Sequence, residues 1–331
     1  MSISYEILLL LYLIRAVCPL VLDDGIVCHR LSLYPPLTLR NMCACKVLGR
    51  GSVIRLGFVA VESGLKNELI YAPPSTPQET TKPVLVFFGG DVQDYPEVME
   101  AHRDNKRYVE WSLTETTSLL ASKFPSHHIL VVKPSRMERK TFSCYDNFVT
   151  SNSVGAPTHT PGIAAIIHLN DLISEGLRSA QEKTEAHITF PESVEDLTLI
   201  GFSKGCVILN QLITEFHTVK TFEDERHNVP LNFIQKISNM YWLDGGHAGG
   251  SKTWITEISV LNTLASLSHI KIHVHVTPYQ VEDEQRPWIK RECKSFCKIL
   301  QRAGCKINYK LHFEEEERSL FSHFKILNEF A

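Results

Sequence analysis

Short, continuous apolar runs alternate with amphipathic helical patterns from residue 53 to the end of this chain. An uninterrupted apolar run of about five residues is typical of a strand that is buried on both faces, as parallel strands in α/β folds are. Val84–Phe88 (VLVFF) and Leu197–Ile200 (LTLI) are such runs. Their alternation with helices predicts an α/β fold, with a mostly parallel central sheet, right-handed crossovers and flanking helices. The other predicted strands are Val53–Val61, Glu68–Ala72, Ile129–Val132, Met240–Leu243, Lys271–Val276 (as an outer strand) and Lys306–Phe313.

Three segments between these runs have the apolar spacing of amphipathic helices: Gly162–Leu177, Val207–Phe216 and Trp288–Ala303. Gly304 follows the third segment and is a natural C-terminal stop for a helix. We expect one α/β domain over residues 51–331, preceded by a targeting or extension segment over residues 1–50.

Composition excludes several classes of protein. The 34 Lys and Arg residues against 37 Asp and Glu residues give a formal net charge of −3, and no basic stripe for nucleic acid is present. The nine cysteines are scattered and odd in number, so free thiols are expected rather than a disulfide framework. The pairs Cys43/Cys45 and Cys293/Cys297 each lack the second pair that a zinc site needs. With no glycine-rich nucleotide loop either, we expect no metal and no cofactor.

The N-terminal segment contains two apolar runs, Ile7–Ile14 and Ala16–Leu22. Neither reaches the ~18 to 20 residues that a membrane-spanning helix requires, so no transmembrane span is predicted. Leu8–Leu11 could form the core of a secretory signal, but Glu6 stands where such signals carry positive charge. The chain also has no Asn-x-Ser/Thr glycosylation acceptor, which weighs against secretion.

Gly201-Phe202-Ser203-Lys204-Gly205 forms a Gly-x-Ser-x-Gly motif between a predicted buried strand and a predicted helix. A serine on such a sharp strand-to-helix turn is held in strained backbone angles, with its side chain exposed above the sheet. The following helix N-terminus directs partial positive charge at an oxyanion formed there. The motif therefore predicts Ser203 as a nucleophile. The competing interpretation is an ordinary tight β–α turn with an unreactive serine.

A nucleophilic serine needs a histidine base, and the base needs an acid to orient it. His323 follows the last predicted strand and precedes the terminal helical segment, which is the expected position for the base. Asp283 is the preferred acid, because it lies in the loop after the Lys271–Val276 strand. Asp244 is the alternative acid, at the end of the preceding strand on the same edge as Ser203.

The oxyanion hole should combine two backbone N–H groups. One belongs to Lys204, the residue after the nucleophile, and the other to the loop that follows Val84–Phe88. Gly90 and Asp91 lie in that loop, where glycine allows the backbone to approach a reacting carbonyl closely. Lys204 is expected to act through its N–H and not through its ammonium.

Five segments carry a resemblance to known proteins: Val86–Asp91, Leu199–Gly205, Trp242–His247, His275–Val281 and His323-Phe324. Over about residues 53–331 the chain resembles the α/β-hydrolase superfamily. It resembles more closely a eukaryotic family typified by the protein of human chromosome 2 open reading frame 69. The resemblance implies an esterase- or lipase-like hydrolase and a mitochondrial location, with secretion as the alternative location.

We therefore expect a serine hydrolase that acts on an ester, a thioester or a lipid acyl group. The alternative is a catalytically silent hydrolase-fold protein that binds a protein partner or a lipid, because fold alone does not determine function. A third interpretation is acyl transfer to an acceptor other than water. Residues 91–111 and 141–160 are the segments in which a lid or an acyl pocket would be built.

Overall fold

An eight-stranded sheet forms the centre of the protein. The structure is a computed structural model that describes residues 53–76, 82–184, 188–222 and 224–331. The expected N-terminal segment over residues 1–50 lies outside the described residues, as do Cys43 and Cys45, so the expectations about them stay predictions.

The strands of the central sheet follow the order β1-β2-β4-β3-β9-β10-β11-β12. Strand β2 pairs antiparallel with both of its neighbours, and all pairs from β4 to β12 are parallel. Two short hairpins, β5–β6 and β7–β8, lie outside this sheet. The strands are β1 (Ile54–Ala60), β2 (Lys66–Ala72), β3 (Val84–Phe88), β4 (His128–Val132), β5 (Arg136–Glu138), β6 (Phe142–Cys144), β7 (Thr150–Ser151), β8 (Pro157–Thr158), β9 (Leu197–Phe202), β10 (Ile237–Leu243), β11 (Lys271–Val276) and β12 (Ile307–Leu311).

Helices connect the parallel strands, as the alternating pattern predicts. The α-helices are α1 (Pro96–Glu100), α2 (Leu113–Lys123), α3 (Ala164–Lys183), α4 (Cys206–Thr221), α5 (Asn228–Lys236), α6 (Ile258–Ser266), α7 (Pro278–Val281), α8 (Pro287–Arg302) and α9 (Leu320–Glu329). Short 3-10 helices span Asn105–Trp111, Ser203–Gly205 and Glu225–His227.

The predicted strands are all present, with ends that differ by up to three residues. The prediction that Lys271–Val276 is an outer strand is wrong, because β12 pairs with it and forms the edge. Its polar alternation has a local cause. Its two histidines meet polar groups: His273 contacts Asn239 of β10, and His275 contacts His312, which directly follows β12.

Apolar side chains cover both faces of the sheet and form two cores. One core packs α3, α4, α5, α6 and α8 against the sheet, with Leu169, Leu212 and Phe296 among its buried residues. The other packs α2 and α9 against the opposite face, through Leu120 and Leu327. This three-layer arrangement, with a mostly parallel sheet and its single antiparallel strand near one edge, is the α/β-hydrolase fold that the sequence predicts. In the described ranges, no helix has the length and the apolar character needed to cross a membrane.

The register of the parallel strands brings their carboxyl ends level with one another. Phe88 of β3 pairs with Gly201 of β9, and Phe202 pairs with Leu243 of β10. Leu243 in turn pairs with His275 of β11. Ligands of open α/β sheets bind at this edge, so the residues that follow these strands form the candidate site.

Candidate active site

Ser203 stands on a sharp turn directly after β9. Its φ angle is +52°, in the left-handed region. This backbone conformation costs a residue with a β-carbon roughly 1–2 kcal/mol. A 3-10 turn over Ser203–Gly205 leads from this residue into α4. Only 7% of Ser203 is exposed, so the expectation that its side chain is exposed is wrong. The Gly-x-Ser-x-Gly segment therefore has the strand–turn–helix context that the sequence predicts.

Close backbone contacts explain the glycines of this turn. A β-carbon on Gly205 would lie 2.0 Å from the carbonyl oxygen of Phe88, and one on Gly201 would lie 2.8 Å from Cys206 Cα. Across the turn, a β-carbon on Gly90 would lie 2.6 Å from Ser203 Cβ. These contacts exclude a side chain at all three positions, because rotating a side chain moves neither the backbone atoms that Gly201 and Gly205 approach nor the β-carbon that Gly90 approaches.

His323 forms a short hydrogen bond with the alternative acid, Asp244. The distance from His323 Nδ1 to Asp244 Oδ2 is 2.6 Å. Asp244 is fully buried and follows β10 immediately, with a φ of +47°. Thr277 donates two further hydrogen bonds to this carboxylate, from its backbone N–H and from its hydroxyl. These three donors hold the carboxylate in one orientation.

The structure corrects the preference for Asp283 as the residue that orients His323. The Asp283 carboxylate accepts hydrogen bonds from Arg286 Nε and Arg318, each at 2.6 Å, and from the Gln285 N–H. Burial alone would raise the pKa of Asp283, but the Arg286 hydrogen bond and the guanidinium charges lower it below its usual value. Helix α7 separates this aspartate from the end of β11, so Asp283 joins an ion-pair cluster while Asp244 holds the imidazole.

The imidazole of His323 packs against two aromatic rings. The ring centres of Phe202 and Tyr279 are each 4.7 Å from the centre of the imidazole. His323 is 3% exposed and belongs to the first turn of α9, which Ser319 caps. No hydrogen bond is present between Ser203 Oγ and the imidazole, both of which lie within the described ranges. Catalytic hydrogen bonds of this kind are often long in ligand-free enzymes and shorten when substrate binds.

The loop after β3 reaches the turn that carries Ser203, but Gly90 does not offer its N–H to the site. The Gly90 N–H donates to Gln93 Oε1 at 2.9 Å, so the prediction of Gly90 as an oxyanion donor needs correction. Its role is to leave room for Ser203. The N–H of the next residue, Asp91, has no acceptor in the part of the chain that the structure describes.

The side chain of Lys204 is the unexpected element of the site. It is fully buried, and its ammonium nitrogen lies 2.9 Å from the carbonyl oxygen of Val154 and 3.1 Å from Asp91 Oδ1. Burial raises the pKa of Asp91, and the adjacent Lys204 charge opposes that shift. A charged group this deeply buried requires partners, and Lys204 has two.

Three site residues are absent from the predictions made on the sequence alone. Thr277 binds the acid, Tyr279 packs on the imidazole, and Gln93 takes the Gly90 N–H. Thr277 had a usable signal, because it directly follows a strand whose end lies at the same edge as Ser203. No sequence pattern indicated Gln93, because its amide oxygen accepts the Gly90 N–H within a local turn that no motif marks.

The structure holds no candidate metal site among its described residues, where no three His, Cys, Asp or Glu side chains come together to hold an ion. Cys293 and Cys297 are buried free thiols on one face of α8, as predicted.

Comparison with known proteins identifies relatives along most of the chain. The model of the family described as C2orf69 matches residues 56–193 and 177–306. The human protein named "Mitochondrial protein C2orf69" is 37% identical over 312 residues, which cover 81% of this chain and 80% of that protein. The mouse protein named "Mitochondrial protein C2orf69 homolog" is 40% identical over 284 residues, covering 73% of this chain and 76% of that protein.

Solved structures with similar folds include esterases. A structure titled "Crystal Structure of a Thermostable Esterase" is 13% identical, with a TM-score of 0.46, and the match covers 86% of this chain and 60% of that one.

Proposed function

Because this chain belongs to the C2orf69 family, whose human and mouse members are named mitochondrial proteins, we propose that it is a mitochondrial serine hydrolase. Its substrate would be an ester, a thioester or a lipid acyl group. Ser203 is the nucleophile, His323 the general base and Asp244 the acid that orients the base.

The pair formed by His323 and Asp244 beside the strained Ser203 turn carries this proposal. Asp244 Oδ2 accepts the Nδ1 proton of His323, which leaves Nε2 unprotonated and able to take a proton. All three residues follow the rule of chain order for this fold, Ser then acid then His. The strain at Ser203 and the contacts of Asp244 and Gly90 support this choice of residues.

The reaction would proceed in two halves. Ser203 Oγ attacks the acyl carbon while His323 Nε2 takes the hydroxyl proton, and the carbonyl oxygen becomes an oxyanion. The N–H groups of Lys204 and Asp91 stabilise that charge. The oxyanion then collapses, the bond to the leaving group breaks, and His323 returns the proton to the departing alcohol or thiol. Water attacks the acyl-serine in the same way and releases the acid.

The missing hydrogen bond between Ser203 and His323 is the observation that would suit the alternative, a catalytically silent protein that binds a lipid or a protein partner. Two features weigh against it. The left-handed backbone at Ser203 costs free energy, and such strain persists mainly where function requires it. The buried hydrogen bond from His323 Nδ1 to Asp244 also fixes the orientation of the imidazole, which a general base requires and a silent binding protein does not.

Labelling with an alkyl fluorophosphonate tests the proposal directly, because this probe phosphonylates an activated serine. Wild-type protein should be labelled, and Ser203→Ala should not. Ser118→Ala, a matched change at an exposed serine of α2, should be labelled like wild type. Equal labelling of Ser203→Ala and wild type, or no labelling of folded wild type, would refute the assignment. A panel of esters and thioesters of increasing chain length would then define the substrate.

A further inference from the structure

The two residues whose N–H groups would form the oxyanion hole also bind each other through their side chains. Lys204 Nζ lies 3.1 Å from Asp91 Oδ1. One of these residues follows the nucleophile and the other follows β3, so the ion pair joins the two backbone segments that must face the same oxygen atom.

Asp91 is held from a second direction by the hairpin β5–β6. Its Oδ1 atom also accepts the Ser143 N–H at 2.8 Å, and the Ser143 hydroxyl donates to the carbonyl oxygen of Gly90 at 2.7 Å. The Tyr145 hydroxyl donates to the carbonyl oxygen of Gly89 at 2.9 Å. The oxyanion loop, residues 89–91, therefore has each of its residues fixed by a side chain or a backbone group of the hairpin region.

Stability does not explain why a lysine occupies this buried position. An ion pair in the interior loses much of its attraction to the cost of desolvation, and an apolar pair of similar volume is often as stable. An ion pair does fix a distance and a direction, and an oxyanion hole depends on both, since its donors must lie about 2.7–3.1 Å from the developing charge.

We propose that Lys204 is a positioning residue of the reaction: its ammonium, paired with Asp91, fixes the spacing of the Lys204 and Asp91 N–H groups around the oxyanion. This inference rests on the proposed serine-hydrolase function. The side chain does not touch the reacting atoms, so its effect should appear in the chemical step and not in the binding of the ligand.

The test measures inactivation by an alkyl fluorophosphonate, in which the rate constant for covalent reaction (kinact) and the binding constant (KI) are obtained separately. Lys204→Met keeps the volume of the side chain and removes its charge. It should lower kinact by about 10- to 100-fold, since a 1 Å misplacement of catalytic groups can cost on the order of 100-fold. KI should change by less than about threefold.

Lys133→Met is the matched control. Lys133 is also a largely buried lysine, paired with Asp94 at 2.7 Å and with Glu68 at 3.3 Å, but it contacts neither Ser203 nor Lys204. The Lys133→Met variant should have a lower melting temperature, and its kinact should stay within about threefold of the wild-type value. If Lys204→Met keeps the wild-type kinact, or if its loss lies in KI, the inference is overturned.

A second variant covers the case in which Lys204→Met does not fold. Asp91→Ala keeps the Asp91 N–H but removes the carboxylate, so it should lower kinact to a similar extent. Where all variants fold, the variant that combines Lys204→Met with Asp91→Ala should have a kinact little lower than that of either single variant, because each change removes the same interaction. Additive losses in kinact would show that the two side chains do not act as a pair. A folded wild type that does not react at all would overturn the proposed function itself, whereas a reactive wild type with unaffected variants overturns only this inference.

Discussion

Asp244 and His323 are 79 positions apart in the chain, yet Asp244 Oδ2 lies 2.6 Å from His323 Nδ1 and both side chains are almost completely buried. The contact joins the turn after β10 to the first turn of α9. A buried, charge-assisted hydrogen bond of this length fixes both the tautomer and the orientation of the ring.

Replacing Asp244 with Asn should abolish most of the reactivity of Ser203. The amide cannot accept the Nδ1 proton from the same position without losing a Thr277 hydrogen bond, so the imidazole is held in the wrong tautomer. If Ser203 is the proposed nucleophile, we expect a loss of about 10⁴-fold in the rate of fluorophosphonate labelling, which is the loss seen in serine proteases that lack the corresponding carboxylate.

The same substitution at Asp283 provides the comparison. Asp283→Asn weakens ion pairs with Arg286 and Arg318, so it should lower the melting temperature modestly while labelling stays within about tenfold of wild type. If Asp283→Asn lost more reactivity than Asp244→Asn, the assignment of the acid would have to be reversed.

Backbone strain at Ser203 should appear as a difference in the free energy of unfolding between two variants. Glycine adopts a φ of +52° without the steric cost that a β-carbon imposes. Ser203→Gly should therefore be more stable than Ser203→Ala by about 0.5–1 kcal/mol, after part of the relief is offset by the greater freedom of glycine in the unfolded chain. Urea unfolding of the two variants measures this difference, and a less stable glycine variant would show that the turn is not strained.

A methyl group at Gly205 should prevent correct formation of the turn. Its β-carbon would meet the Phe88 carbonyl oxygen at 2.0 Å, and such a contact can be relieved only by moving β9 or the start of α4. We expect Gly205→Ala to lose at least about 3 kcal/mol of stability. Gly250→Ala, where nothing lies within 4 Å of the added atom, should change stability by less than about 0.5 kcal/mol. Comparable melting temperatures for the two variants would contradict the close approach described above.

Stability should fall on acidification because buried histidines stay neutral in the folded protein. Burial lowers the pKa of His128 to about 4, and its Nδ1 lies 2.8 Å from the Tyr71 hydroxyl. Between about pH 6.5 and 4 the unfolded chain binds a proton at this histidine that the folded chain does not, so the free energy of unfolding decreases as pH falls. One such residue contributes a slope of at most about 1.4 kcal/mol per pH unit.

His128→Asn should make the dependence of unfolding free energy on pH less steep over that interval, whatever its effect on stability at neutral pH. Urea unfolding at a series of pH values from 7 to 4.5 gives the slope for each protein. An unchanged slope would mean that His128 is protonated in the folded state or never titrates in the unfolded one.

The parts of the site that follow strands could be predicted from the sequence. The runs at Val84–Phe88 and Leu197–Ile200 are apolar because both faces of the sheet are covered. The turns that carry Gly90 and Ser203 follow the strands that contain these runs. The spacing of Gly201, Ser203 and Gly205 has a local steric cause and is therefore visible in a local pattern. His323 could be chosen as the candidate base from the sequence, because the chain order of this fold restricts where that residue can lie.

The choice of acid could not be made in the same way. Asp244 and Asp283 both come after strands that end at the same edge of the sheet, so position alone favours neither. The choice depends on which donors reach each carboxylate, and Arg318 is 35 positions from Asp283. The commitment of the Gly90 N–H to Gln93 and the burial of the Lys204 ammonium are likewise matters of side-chain geometry, which residue types along a chain do not specify.

The contact between Lys204 Nζ and the Val154 carbonyl oxygen has a consequence for how ligands reach Ser203. Val154 lies between β7 and β8, in a segment predicted to build a lid or an acyl pocket. If that segment swung outward, the buried Lys204 ammonium would lose one of its two acceptors beside Ser203. Entry and exit of a ligand are therefore expected to depend on movement of other segments, with this one acting as a fixed wall.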